Sequence, residues 1–138
     1  MKALNIIGRI ILGLLFVTPI IGALGIFPAP TADMYNTPEA FAFIQMLMDI
    51  GYINILIAGV FAVCLVLVIM NRVAFMALLL LPVTLNIVCF HAFLDGGLFT
   101  AGALMGNILF LLNLYFLWQS RAAYKVLFGK PVTPETIA

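Results

Sequence analysis

Apolar residues run almost unbroken through four stretches of this chain, separated by short polar or Gly/Pro-rich segments. The stretches cover about Leu4 to Ile26, Gly51 to Met70, Val73 to Leu94 and Ala101 to Ser120. Each approaches or exceeds the ~18–20 residues that a helix needs to cross a bilayer. Strict apolar–polar alternation, the mark of a half-buried strand, is absent. Backbone groups in lipid must be satisfied within the segment, which leaves helices once a barrel is set aside. The expected fold is all-α and integral to the membrane, a four-transmembrane-helix bundle.

The connecting segments sharpen this plan. Phe27 to Thr37 carries Pro28 and Pro30, with Pro38 just beyond, and reads as an ordered external loop. Thr37-Pro38-Glu39 is a helix start: an N-cap hydroxyl, proline at the first helical position and an acid in the first turn. From there to Ile50, residues Glu39, Ala42, Gln45 and Asp49 share one sector while Phe41, Phe43, Ile44, Leu47 and Met48 point elsewhere. That pattern predicts a short interfacial helix over 38–50, between helices one and two, or a continuous run into helix two. As an interfacial helix it is either a lid over the outer mouth or a plain surface anchor. Asn71-Arg72 is a minimal turn, so helices two and three are antiparallel neighbours. Pro82 frees the carbonyl of Leu78 and bends helix three. Asp95-Gly96-Gly97 ends that helix, and Thr100 is placed to cap the next. Gly102, Gly106 and Asn113 fall on one face of helix four, which predicts close packing there. Residues 1–128 form the membrane domain, with spans at 4–26, 51–70, 73–94 and 101–120, and 129–138 a polar tail.

Composition adds weight to the membrane reading. Of 138 residues 66% are hydrophobic and 8% charged, with mean hydropathy +1.28. A soluble domain of this size cannot cover its surface with so few polar residues. The basic residues are Lys2, Arg9, Arg72, Arg121, Lys125 and Lys130, while four of the five acids, Asp33, Glu39, Asp49 and Asp95, lie in the other inter-helix segments. Both termini in the cytoplasm place every Lys and Arg inside, as the positive-inside bias requires. The expected location is therefore the plasma (inner) membrane, multi-pass, N-in and C-in. The first apolar run is too long for a typical leader, and Arg9 interrupts its start, so it reads as a span. Cys64 lies about 20 Å below the outer end of its helix. Cys89 is near an outer end, so the two should not pair.

Candidate chemistry concentrates at the outer boundary. His91, the single histidine, and Asp95 stand at i and i+4 and share a helix face. A carboxylate beside an imidazole orients it, which suits a proton-exchanging pair. Asp49, Asn54 and Asn86 project to the same depth from other segments, and polar groups turned from lipid would enclose a pocket. The plainer alternative is that the His–Asp pair caps a helix end and the asparagines bond between helices. Arg9 either snorkels to the inner interface or pairs within the bundle. One histidine excludes bis-histidine haem, and no His/Cys/Asp/Glu cluster has metal-ligand spacing, so no metal site is expected. Nothing marks a phosphate-binding loop, a nucleophile elbow or a nucleic-acid patch. No intrinsic cofactor is expected, and electron transfer would require a diffusible carrier such as a quinone.

Arg9-Ile10-Ile11-Leu12-Gly13-Leu14-Leu15-Phe16 opens one recognisable pattern. Pro82-x-x-x-Asn86-Ile87-x-x-Phe90-His91-x-Phe93-Leu94-Asp95 continues it, and Asn113-Leu114-Tyr115 to Tyr124-x-x-Leu127-Phe128 closes it. Together these resemble the DoxX-like family of small membrane proteins, over essentially the whole chain. The resemblance implies a four-helix bundle and little about activity. One member is a small subunit of thiosulfate:quinone oxidoreductase, and others accompany redox systems. Many members carry an acid in mid-helix two; this chain has Gly59-Val60-Phe61-Ala62-Val63 there.

Two main functions follow as expectations. The first is an accessory subunit of a redox system that binds a small lipophilic molecule, a quinone among the candidates, at the outer helix ends. In it His91 and Asp95 exchange protons, and Asn86, Asn54, Asp49 and Arg9 are ligand-binding candidates. The second is a non-catalytic scaffold whose small-residue faces recruit partner helices. A small dimeric transporter stands behind both, weakened by the absence of a charge at mid-depth. The partners expected are the lipid bilayer, a redox-enzyme subunit and a second copy of the chain, with no nucleic acid.

Overall fold

The computed structural model describes residues 2–125 and is all-α. The helices are α1 (Lys2–Ala23), α2 (Pro38–Ile50), α3 (Tyr52–Ile69), α4 (Val73–Phe93), α5 (Ala103–Gln119) and α6 (Arg121–Tyr124), with a 3₁₀ turn at Ala32–Met34 before α2. Three of them are long and apolar enough to cross a membrane: α1 from Ala3, α3 and α4. Helix α5 is apolar but shorter, at 17 residues. The expected fourth span of 101–120 loses its first residues to turns around Thr100–Gly102. The first expected span stops at Ala23 rather than Ile26, and the chain turns at Gly25, whose φ of 71° is left-handed. The expected tail at 129–138 lies outside the described residues, as do Leu127 and Phe128 of the family pattern.

Helix α3 packs on α1 and α4, α4 packs most extensively on α5, and a lighter α1–α5 contact closes the ring. Leu12 and Phe16 of α1, Phe61 and Cys64 of α3, Met76, Ala77 and Leu80 of α4, and Leu109 and Phe116 of α5 form one buried cluster. Much larger apolar area faces outward, including Leu14, Leu56, Ile69, Phe75 and Leu111. In water such a surface would drive aggregation; against lipid it is simply the solvated face. Cys64 is buried, Cys89 exposed, and both are free thiols, as their separation predicts.

Local chemistry explains the element ends. The Thr37 hydroxyl accepts the Ala40 N–H at 3.1 Å, so the expected cap of α2 is in place. Helices α2 and α3 meet at Gly51, where φ is 73° and no side chain would be comfortable, so the two are separate helices with a corner between them. The α3–α4 turn closes by Arg72 N–H to Leu67 O at 2.7 Å and Asn71 N–H to Val68 O at 3.1 Å. Asn71 takes the left-handed position (φ 61°) that such a closure requires. Ala103 N–H donates to the Thr100 hydroxyl at 3.3 Å at the start of α5.

Pro82 sits inside α4, and a buried amide from α5 bonds the helix backbone in the turn before it. Oriented to satisfy both faces, Asn113 of α5 donates Nδ2–H to Ala77 O at 3.0 Å and accepts at Oδ1 from Leu81 N–H at 3.2 Å and Thr84 Oγ1 at 2.9 Å. Leu81 N–H and Ala77 O are the pair that bond to each other in a regular helix. Asn113 thus serves the donor and acceptor of one α4 turn from a neighbouring helix. Asn113→Ala should cost about 1–2 kcal/mol, read by denaturant unfolding in detergent, because Thr84 and the turn lose their buried partner. An unchanged unfolding midpoint would show that α4 is straight enough to satisfy itself.

Candidate functional site

The end of α4 is tied to the start of α2 by a compact polar cluster. Leu94 and Asp95 N–H groups both reach Phe90 O (2.9 and 3.1 Å), and Gly97 N–H reaches His91 O at 2.8 Å. Gly96 and Gly97 supply the positive φ values, 80° and 109°, that let the chain reverse there. This reversal folds the Asp95 carboxylate back onto its own helix. Its Oδ2 lies 2.9 Å from His91 Nδ1, and its Oδ1 accepts the Asn36 N–H at 2.8 Å. The Asn36 side chain donates to Asp95 O at 3.2 Å, and the Thr37 hydroxyl donates to Leu94 O. Asp95 is 1% exposed and His91 13%. A carboxylate facing Nδ1 directs the ring proton to that nitrogen.

The imidazole is wedged against α5. A Cβ placed on Gly106 would stand 3.5 Å from His91 Cδ2 and 3.7 Å from Nε2, and one on Gly102 would stand 3.8 Å from Cε1. The Gly102-x-x-x-Gly106 face is therefore the bed of the histidine, with Phe90 edge-on at 5.1 Å on the other side. Of the small residues expected to meet partner helices, Gly8 of α1 meets Phe116 and Gly106 meets Ile87 within the bundle. At these two positions neighbouring helices of the same chain lie against the glycine.

The hollow lies elsewhere. A cavity of about 430 Å³ opens beneath α2, walled by Phe43 and Leu47 of α2, Ile53 and Ile57 of α3, and Pro82 and Asn86 of α4. A second of about 230 Å³ adjoins it at Phe43 and Asn86 and includes Cys89, Phe90 and Phe93. Neither is lined by His91 or Asp95. The six expected site residues thus divide. His91 and Asp95 are together, on the α5 side of α4, and Asn86 lines both cavities. Asn54 lines neither cavity; it is part-buried, its Nδ2 3.5 Å from Leu47 O at the end of α2. Asp49 is exposed on α2. Arg9 is at the opposite end of the bundle, bonded to Asn5 at 2.6 Å and to Asn71, and is no part of this site. The single shared pocket expected of the five outer residues is corrected by rotation: depth placed Asp49, Asn54, Asn86, His91 and Asp95 in one layer, but not on one side.

Asn36, Phe43 and Leu47 belong to the site and were not singled out from the sequence. Asn36 reaches its partner across 59 positions, which no spacing rule covers. Phe43 and Leu47 do fall on the expected apolar side of α2, and that was the available signal. Tyr35, edge-on to Phe90 at 6.4 Å, covers the cluster. Its phenol is pushed up from the ordinary value, first by burial and then by the negative charge of Asp95. A raised folded value means the attachment is fully present below the unfolded tyrosine value of about 10 and is lost as pH rises through the folded one. Alkaline titration should therefore loosen the Tyr35 loop before the bundle melts, and Tyr35→Phe should abolish that step in tyrosinate absorbance.

Compared with protein-family models, curated proteins and solved structures, the chain matches none.

Proposed function

We propose that this chain is a DoxX-like, four-span membrane protein with both termini cytoplasmic. In it α5 is the fourth span and α2 lies in the outer interface. It serves a membrane redox system as an accessory subunit that holds a small lipophilic molecule of the quinone type in the cleft beneath α2. The observation that carries the reading is the cleft of about 430 Å³, apolar on α2 and α3 and bearing one carboxamide, Asn86, on α4. Ligand sites are commonly hollows of this size, largely apolar, with a few polar groups that fix orientation. An amide both donates and accepts, which suits a carbonyl or hydroxyl on an otherwise apolar body. The charge distribution supports the orientation: the described cations Arg9, Arg72, Arg121 and Lys125 cluster at the end opposite to Asp33, Glu39, Asp49 and Asp95.

In this reading His91 and Asp95 position the cleft's outer wall rather than touch its occupant, which differs from the proton-exchanging role expected of them. The test is a mass-spectrometric search for lipophilic molecules retained through gentle purification. Wild-type protein should retain one species, and Asn86→Leu should retain about tenfold less, the loss of one buried hydrogen bond. Val83 also lines the cleft, so Val83→Trp should fill it and retain none. Equal retention in all three, or none in the wild type, would end this reading.

A further inference from the structure

We propose that the basic end of the bundle carries a binding site for the phosphate of an anionic phospholipid, centred on Arg9. The guanidinium of Arg9 donates from Nε to Asn5 Oδ1 at 2.6 Å and from Nη1 to Asn71 Oδ1. Both acceptors are neutral amides, so its charge is not cancelled by them. Each carboxamide gives its oxygen to Arg9 and so has its Nδ2 hydrogens as the remaining donors. One guanidinium with two such amides groups N–H donors from α1 and from the α3–α4 turn around a single positive charge. That is the chemistry of a phosphodiester site.

The surroundings fit a lipid in particular. Arg72 follows Asn71 in the same turn, and both are exposed. Tyr124 of α6 donates to Ala74 O at 2.9 Å, which brings Arg121 and Lys125 to the same end. Arg121 stacks over Trp118 at 4.8 Å, an arrangement suited to the headgroup layer. Among the described residues no acid lies at this end. At the same end of the bundle, Ile6 and Ile10 of α1 are 60% and 58% exposed, and Ile69 of α3 is 76% exposed. A phosphate on the donors thus leaves its acyl chains along bare aliphatic surface. Asn71 can hold its part of the site because its left-handed φ of 61°, imposed by the tight turn, fixes the backbone that carries it. The proposal rests on the membrane reading but not on the cleft.

Native mass spectrometry of the full chain, released from micelles doped with equal phosphatidylglycerol and phosphatidylcholine, tests it. Wild-type protein should retain phosphatidylglycerol about tenfold over phosphatidylcholine. Arg9→Gln should erase that preference, and Arg9→Lys, a point charge without the fork, should keep only part of it. Arg121→Gln should leave most of it, and Asn86→Ala all of it, so failure here and failure of the cleft are read apart. Asn5→Ala, which suits a helix, should lose part of the preference and decides the matter if Arg9→Gln does not fold. Equal retention of the two lipids would overturn the proposal. So would equal losses in Arg121→Gln and Arg9→Gln, which mean diffuse charge. Displacement by inorganic phosphate would overturn it too, because that means a site for the free anion.

Discussion

Replacing Asp95 by alanine should release the start of α2 from the end of α4 and cost on the order of 3 kcal/mol. The carboxylate is 1% exposed and holds two partners at once, His91 Nδ1 and the Asn36 N–H. Removing it leaves both without their acceptor in a site that water barely reaches. Only two bonds to backbone carbonyls would then join the segments, Thr37 to Leu94 O and the Asn36 side chain to the carbonyl of residue 95. Asp95→Asn retains one acceptor oxygen and should cost roughly half as much. Unfolding in mixed detergent reads the stability. Cys89 reads the movement, because it lines the smaller cavity with Phe43 of α2, while Cys64 is buried and serves as the internal blank. Maleimide should label Cys89 faster in Asp95→Ala, and cleft retention of the lipophilic species should fall with it. If neither the midpoint nor the labelling rate moves, Asp95 is not what holds α2 in place.

The second large effect is expected at Gly106. A Cβ there would lie 2.6 Å from Ile87 Cγ2, well inside contact distance, and 3.5 Å from the His91 ring. Ile87 is β-branched and stiff about χ1, so its methyl cannot swing aside cheaply. Gly106→Ala should therefore push α5 off α4 and cost about 1–3 kcal/mol, with Gly106→Leu worse. The contrast is Gly59 of α3, where an added Cβ meets nothing within 4 Å. Gly59→Ala should stabilise by about 0.5–1 kcal/mol through helix propensity. The two substitutions are chemically identical and opposite in sign. Equal melting temperatures for both would mean that the α4–α5 contact yields to an added methyl group.

Several parts of the site were readable along the chain because they are local. The i, i+4 spacing of His91 and Asp95 and the Asp-Gly-Gly stop needed only the helical repeat. The Thr37 cap and the Gly102, Gly106, Asn113 face needed no more than that. The partners of those residues were not readable. Asp95 meets Asn36, and Asn113 meets the α4 turn that precedes Pro82, through long-range contacts. Arg9 could be assigned a depth but not a partner, and the partner decides its chemistry.

Length and apolarity of the segments, their helical character and the separation of charge between the two ends followed from the sequence alone, since each is a sum over neighbouring residues. Tertiary structure decided which way α4 is turned: His91 toward the glycines of α5, Asn86 toward the cleft under α2. In water an amphipathic pattern would have announced that rotation. Here α4 is apolar on every side, because lipid and protein interior ask for the same residues. Only the shape of the neighbouring helices, a groove at Gly106 and a gap at Ile57, distinguishes one face from another.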